Sequence, residues 1–410
     1  MIEWNDTHRT IRDMVRKFVE AEVKPNLREL EHGDMPPYDV LRKMFATFGI
    51  ADMAEMRASK AAHRARKREE ARTKGEELPR EDSKESAEQV AMQMIPVIEL
   101  SRYCPGMVTA LGVSVGLTAS TIMSRGTPRQ IERWARDLLS LQKIGAWAIT
   151  EPGSGSDAFG SMKSTAVRKD GGYVLRGSKT FITNGPYADT IVFICKLDEG
   201  NDPKDRKILS FVLEKGEKGL EQSKPLKKMG LHSSPTGELF LDDVFVPADR
   251  LLGETEEISY RTGAKDTFTA ERTGVVAMAL GIIQQCLDLC VEYAKTRVQF
   301  GRPIGDFQLI QLKLAKMEVA RMNVQNLVFR IIESAGAGYK IPLAEASACK
   351  LYCAQAATEV ALEAVQLFGG NGYMAEFQVE QLARDAKVLQ IYGGTDEIQI
   401  SQIARSLLSG

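Results

Sequence analysis

The sequence predicts an α+β protein with segregated layers: an N-terminal helical part, a central antiparallel β domain and a C-terminal helical bundle. Three observations predict it. Apolar residues recur at helical spacing through residues 1–145. Short β-rich runs punctuated by Pro, Gly and Asp fill residues 146–252. Helical stripes return over 253–410, where only Pro303 and Pro342 interrupt them. At about 150 residues per domain, a chain of 410 residues accommodates these parts.

In the first part, residues 7–30 place Ile11, Met14, Val15, Phe18, Val19 and Val23 on one stripe. Similar stripes run through 89–125 and 127–143, and Thr127-Pro128 is a helix-start signal. Residues 57–88 break the pattern. They are nearly free of large apolar side chains, basic at first (Arg57, Lys60, Arg64, Arg66, Lys67, Arg68) and mixed to acidic afterwards. They read as a solvated insertion, with a docking surface for an anionic partner as the sharper alternative. In the second part, strands are expected at Tyr173–Leu175, Thr180–Thr183, Thr190–Leu197, Ile208–Glu214 and Glu238–Val246, arranged as an antiparallel barrel or sandwich. In the third, helices are expected at 268–297, 305–337, 343–368, 377–391 and 395–408, forming an antiparallel bundle.

Composition narrows the function classes. Lys plus Arg is 54 and Asp plus Glu is 55, a net charge of −1, with 43% hydrophobic residues. That argues against a disordered chain and against nucleic-acid binding. No uninterrupted apolar run reaches the roughly 18 residues of a membrane span. The opening Met1-Ile2-Glu3-Trp4 does not read as a secretion or transit signal, so a cytoplasmic protein is expected. Of the six Cys, Cys286/Cys290 and Cys349/Cys353 are four apart. They read as small core residues rather than a zinc site.

The catalytic inventory is thin. There are four His and no HExxH, CxxC, P-loop or dinucleotide-binding glycine pattern. A bound cofactor is therefore expected to carry the chemistry. Trp147–Asp157 (WAITEPGSGSD) concentrates backbone N–H groups and hydroxyls on a turn that can grip an oxygen-rich group; a plain surface turn is the alternative. Lys179–Gly185 (KTFITNG) alternates like a strand and ends in hairpin-type Asn-Gly, with Phe181 and Thr183 on one face. An aromatic beside a hydroxyl can hold a flat ring; an ordinary half-buried strand face is the alternative. Arg297–Pro303, Gln366–Tyr373, Arg384–Lys387 and Ile391–Glu397 add further Gly-rich helix ends in the bundle.

TEPGSGSD, KTFITNG, TRVQFGRPI, QLFGGNGY, and RDAK with IYGGT, in this order and spacing, resemble the acyl-CoA dehydrogenase family. The resemblance runs from about residue 5 to 408 and fails only in the charged insertion. It implies an N-terminal helical domain (1–145), a central β domain (146–252) and a C-terminal four-helix bundle (253–410). It also implies FAD, a homotetramer built as a dimer of dimers, and an electron-transfer flavoprotein as acceptor. The implied reaction converts an acyl-CoA to its trans-2-enoyl product in fatty or branched-chain acyl metabolism. By resemblance, Thr150, Ser156, Phe181 and Thr183 contact the flavin, with Ser156 also near substrate. Arg297, Phe300, Gln366, Gly370 and Thr395 reach the diphosphate and adenosine portion, partly in a neighbouring subunit. Tyr392, Gly393 and Arg272 fall near the substrate.

One departure is informative. Most relatives carry the base as Glu directly before the Gly-Thr of the last loop, and this chain has Gly393 there. The isovaleryl-CoA and long-chain branch supplies Glu from the first bundle helix, and AERTGVVAMALG places Glu271 at that position. Glu271 is therefore expected to take the α proton while flavin takes the β hydride. An ordinary first-turn carboxylate is the alternative for Glu271, and Glu397 is expected to face the adenosine side. A catalytically inactive flavin-binding or assembly protein, and a dehydrogenase of acyl-carrier-protein substrates, are the alternative functions.

Overall fold

A computed structural model describes residues 3–74, 86–257 and 260–409. The N-terminal part contains α1 (Asp6–Phe18), α2 (Leu27–His32), α3 (Tyr38–Thr47), α4 (Ile50–Lys74), α5 (Ala87–Ser101), α6 (Pro105–Leu111), α7 (Ser120–Arg125) and α8 (Pro128–Leu139). A π-turn at Val19–Val23 and a 3₁₀ turn at Lys24–Asn26 divide the expected 7–30 helix, where Pro25 removes a backbone donor. Val15, Phe18, Val19 and Val23 are buried as expected, whereas Met14 is half exposed. Pro105 starts a new helix inside 89–125, and a π-helical stretch at Gly112–Ala119 links α6 to α7. The Thr127-Pro128 signal is a capping box, in which Thr127 and Gln130 satisfy each other's backbone N–H.

The expected solvated insertion is ordered over its first half. Residues 57–74 continue α4, whose Ala54, Ala58, Ala62 and Ala65 are buried against α7 and α8. The hydrophobic pattern hid this because alanine stripes carry little apolar weight. Residues 75–85 lie outside the described residues.

The β domain contains β1 (Gly145–Ala148), β2 (Thr165–Lys169), β3 (Gly172–Thr183), β4 (Thr190–Leu197), β5 (Ile208–Glu214), β6 (Leu220–Gln222) and β7 (Thr236–Pro247) in one seven-stranded sheet. β2–β3, β3–β7, β4–β5 and β6–β7 pair antiparallel, as expected; β1–β4 and β2–β4 run parallel, so the sheet is mixed. The Asn-Gly at 184–185 does not close a hairpin. Asn184 is buried at φ +65°, donates to the carbonyls of Ala110 and Gly145, and accepts from Tyr38. It ties the end of β3 to the helical part.

The third part contains α9 (Tyr260–Thr296), the hairpin strands β8 (Val298–Gln299) and β9 (Arg302–Pro303), then α10 (Gln308–Gly336), α11 (Leu343–Phe368), α12 (Gln378–Val388) and α13 (Asp396–Leu408). Its core is shared with the N-terminal helices: Val276, Ala279, Leu280 and Ile283 of α9 pack in the same cluster as Met94 and Ile98 of α5. Gly281 lets the helices close, since a Cβ there would meet the Ile98 carbonyl at 2.2 Å. All six Cys are buried and free, and no metal-holding group occurs among the described residues. Pro105–Arg125 and Thr267–Thr296 are long and apolar enough to cross a bilayer by composition, but most of each is buried in this core.

Candidate active site

The best-formed part of the site is where the first turns of α9 meet the loop before α13. Gly393 and Gly394 hold φ +61° and +91°, a left-handed path that favours glycine. A Cβ at Gly393 would stand 3.3 Å from Glu271 Cδ and 3.5 Å from its Oε1. The Glu271 carboxyl therefore fills the space that a side chain on the loop would occupy. Burial raises the Glu271 pKa above its ordinary value, opposed by the charges of Arg272 and Lys350.

Three buried side chains clamp the loop. Arg272 donates to Ser347 Oγ at 2.8 Å and to the Gly393 carbonyl at 3.4 Å. Lys350 donates to the Gly394 carbonyl at 2.7 Å, and burial depresses its pKa to about 8, against the pull of Asp396 and Glu271. Gln399 Nε2 donates to both glycine carbonyls, at 3.0 and 2.7 Å. Thr395 caps α13 by accepting from the Ile398 amide. Tyr392 turns its hydroxyl inward to Met278 Sδ at 3.3 Å. Arg272 and Tyr392, expected at the substrate, thus spend their polar groups on the frame of the site. Glu397 is exposed on the first turn of α13.

The β domain supplies a second group. Lys179 is fully buried and bridges the Ile149 carbonyl and Glu151 Oε1, each at 2.9 Å. Glu151 also accepts from the amides of Lys163 and Ser164. Burial alone would raise its pKa; Lys179 and these donors outweigh that and lower it. This strut locks the 147–157 turn onto β3. There β3 leaves its ladder with β7 between Lys179 and Ile182, and the Thr180 amide donates to the Thr150 carbonyl instead. The bulge turns Phe181 outward at φ +57° and 69% exposed. A left-handed phenylalanine costs about 1 kcal/mol, so an unpacked ring held this way has the character of a ligand platform. Thr183 is half-buried two residues on, and Ser156 is exposed on the adjoining turn. No atom lies within 4 Å of a Cβ built on Gly153 or Gly155.

A third group stands at the other end of α9. Phe300 (φ +51°, 93% exposed) and Gly301 (φ +78°) form the two-residue turn of the β8–β9 hairpin, both positive as a type I′ turn needs. Tyr293 of the last turn of α9 stacks on Phe368 with centroids 4.1 Å apart and accepts from Asn371 at 3.0 Å. That packing joins the end of α9 to the end of α11, and Arg297, Phe300, Gln366 and Gly370 are all exposed. Among the described residues, no hydrogen bond or ring contact joins this group to Thr150, Ser156, Phe181 or Thr183 in one chain.

The sequence reading missed Lys179–Glu151, Lys350, Ser347 and Gln399. Lys350 carried a signal, since it is a cation among Ala346, Cys349, Cys353 and Ala354 on the buried stripe of α11. The Lys179–Glu151 pair carried none without knowing that the two motifs touch.

Family models match all three parts: the N-terminal domain of acyl-CoA dehydrogenase over residues 5–56, the middle domain over 146–244 and the C-terminal domain over 262–408. An acyl-CoA dehydrogenase of Bacillus subtilis is 36% identical over 400 residues, 98% of this chain and 97% of its own. The chain belongs to the acyl-CoA dehydrogenase family. Mitochondrial isovaleryl-CoA dehydrogenase of rice (Oryza sativa subsp. japonica) is 33% identical over 98% of this chain and 92% of its own. The crystal structure of an acyl-CoA dehydrogenase from Geobacillus kaustophilus superposes with a TM-score of 0.85 at 31% identity, covering 98% of each chain. The family fold of N-terminal helices, central β domain and C-terminal bundle is the fold observed. The fold and the homology support FAD as cofactor, and the exposed Phe181 platform and open glycine turn fit a flat ring system.

Proposed function

We propose that this chain dehydrogenates an acyl-CoA thioester at its α and β carbons, with Glu271 as the base. The observation that carries the reading is the reciprocity at the loop: the Glu271 carboxyl lies where a residue at 393 would put its own, and Gly393 leaves it room. Thr150, Phe181 and Thr183 would hold the flavin ring; Arg297, Phe300, Gln366, Gly370 and Thr395 would hold the diphosphate and adenosine portion. FAD, when bound, supplies the acceptor for the hydride.

Glu271 takes the α proton onto its carboxylate. A group with its pKa raised by burial is a stronger base than a solvated carboxylate, and substrate that excludes water raises it further. The positive charges of Arg272 and Lys350 oppose that rise and favour the ionised form. The similarity to the isovaleryl-CoA dehydrogenase of rice supports branched acyl groups as substrates. Because the two cofactor-facing groups are separate in one chain, the reading includes a homotetramer, a dimer of dimers, whose neighbouring copy completes each FAD site. An electron-transfer flavoprotein in the cytoplasm is the proposed acceptor.

The test is an air-free screen of acyl-CoA thioesters against the purified yellow protein. Bleaching of the flavin by a branched thioester, lost in Glu271→Gln with FAD still bound, is the expected result. A protein that binds FAD yet bleaches with no thioester is an inactive member of the family.

A further inference from the structure

The outer face of α4 has no role in the site described above. Arg57, Lys60, Arg64 and Lys67 recur at three- and four-residue spacing, Lys74 follows seven residues on, and all five share one side of the helix, with Glu70 at its edge between the last two. None forms an ion pair with a described residue, whereas the neighbouring Arg66 pairs with Glu132, and Glu55 with Arg136. Glu55 and Glu69 fall on the opposite flank at 100° per residue. Two exposed methionines, Met53 (45%) and Met56 (64%), head the same ridge. The ridge from Arg57 to Lys74 is about 25 Å long at 1.5 Å per residue.

Cations strung along that length cannot converge on the phosphates of one nucleotide. They match an extended acidic surface, such as one helix of a small acidic protein, with the methionines as adaptable apolar contacts. The inner face of α4 gives the ridge its position. Ala58, Ala62 and Ala65 belong to the cluster against which Phe159 and Phe268 pack. Phe268 lies one turn before Glu271 and beneath the Arg272 guanidinium, 5.9 Å away. A protein seated on the ridge is thus separated from the reacting carboxylate by one helix and a pair of rings.

We infer that the basic ridge of α4 docks a small acidic carrier protein that presents the acyl thioester on a flexible arm. The inference rests on the dehydrogenase reading and names the substrate's carrier. The test compares isovaleryl-CoA with the isovaleryl thioester of a bacterial acyl carrier protein in air-free bleaching, on wild type and on Arg57→Glu/Lys60→Glu/Arg64→Glu/Lys67→Glu. The carrier thioester is expected to bleach wild type with the higher kcat/KM. Charge reversal should cut that value about tenfold or more and flatten its salt dependence, leaving isovaleryl-CoA within about twofold. A Lys60→Gln/Lys67→Gln variant, checked for bound FAD, gives a smaller loss of the same pattern if the fourfold variant misfolds. Bleaching by isovaleryl-CoA alone overturns the carrier and leaves the dehydrogenase standing; bleaching by neither sinks both. Equal losses on both thioesters, or a loss confined to flavin reoxidation by an electron-transfer flavoprotein, assign the ridge elsewhere and overturn the inference.

Discussion

The two ends of α9 are built on different plans. At its start, Glu271 and the Gly393–Gly394 loop are half-buried, and Arg272, Lys350 and Gln399 hold the loop through its carbonyls. At its finish, Phe300 stands 93% exposed on a hairpin tip, and Gln366 and Gly370 at the end of α11 are exposed as well. The end proposed for proton transfer is formed within one chain. The end proposed to meet adenosine has donors and a ring but no second wall. On the proposed reading the difference teaches that one chain preorganises its base and leaves cofactor affinity to assembly, so the two functions can be broken separately.

Glu271→Gln gives the largest expected effect. Replacing a general base costs about 10²–10⁴ in rate, read as the rate of air-free flavin bleaching, with FAD content unchanged. Moving the carboxylate back to the loop sharpens the point. Gly393→Glu alone must place a side chain at φ +61° and within 3.3 Å of Glu271, so reduced stability and activity are expected. Combined with Glu271→Gly, which removes the collision, part of the bleaching activity should return.

Phe300→Ala addresses the other end. It should weaken FAD retention about tenfold on dilution, measured by released flavin fluorescence, while the pH dependence of bleaching in refilled enzyme stays unchanged. Loss of base chemistry without loss of FAD in this variant would contradict the division of labour.

Much of this division was legible in the sequence. The resemblance carried by TEPGSGSD and KTFITNG implies that both meet the flavin, and Gly393 with Glu271 reads as a relocated carboxylate. Alternation alone brought Phe181 to the surface side of β3, but not the bulge that makes its backbone left-handed. The clamps stayed hidden because Lys179, Lys350 and Arg272 are cations inside the fold. Their partners are backbone carbonyls or residues far away in sequence, and neither leaves a pattern. The α4 ridge was visible as charge, but its packing against α7 and α8 was not, because its packing stripe is alanine.

Lys350→Met tests the frame between the two ends. It removes the donor to the Gly394 carbonyl while keeping the buried stem, so bleaching should slow several-fold with little change in FAD content. The smallest effect concerns a buried acid outside the site. Burial and the charge of Glu31 lift the pKa of Asp385 from 3.8 to about 7, against its hydrogen bonds from Leu231 and Gln381. The folded chain therefore holds a proton that the unfolded chain has released between those values. Stability should fall as pH rises from about 4 toward 7 and level off above. In Asp385→Asn, thermal unfolding midpoints should lose part of that slope.

The relocated carboxylate is tested most directly by the pH dependence of single-turnover flavin bleaching without air, in wild type and Glu271→Gln. The wild-type rate should climb with pH through one ionisation above the usual carboxylate range, because the proton must leave a buried Glu271 before it can accept another. Glu271→Gln should be at least about a hundredfold slower and show no such rise. A Glu271→Gln protein that keeps the wild-type rate and the same ascending limb would place the base elsewhere.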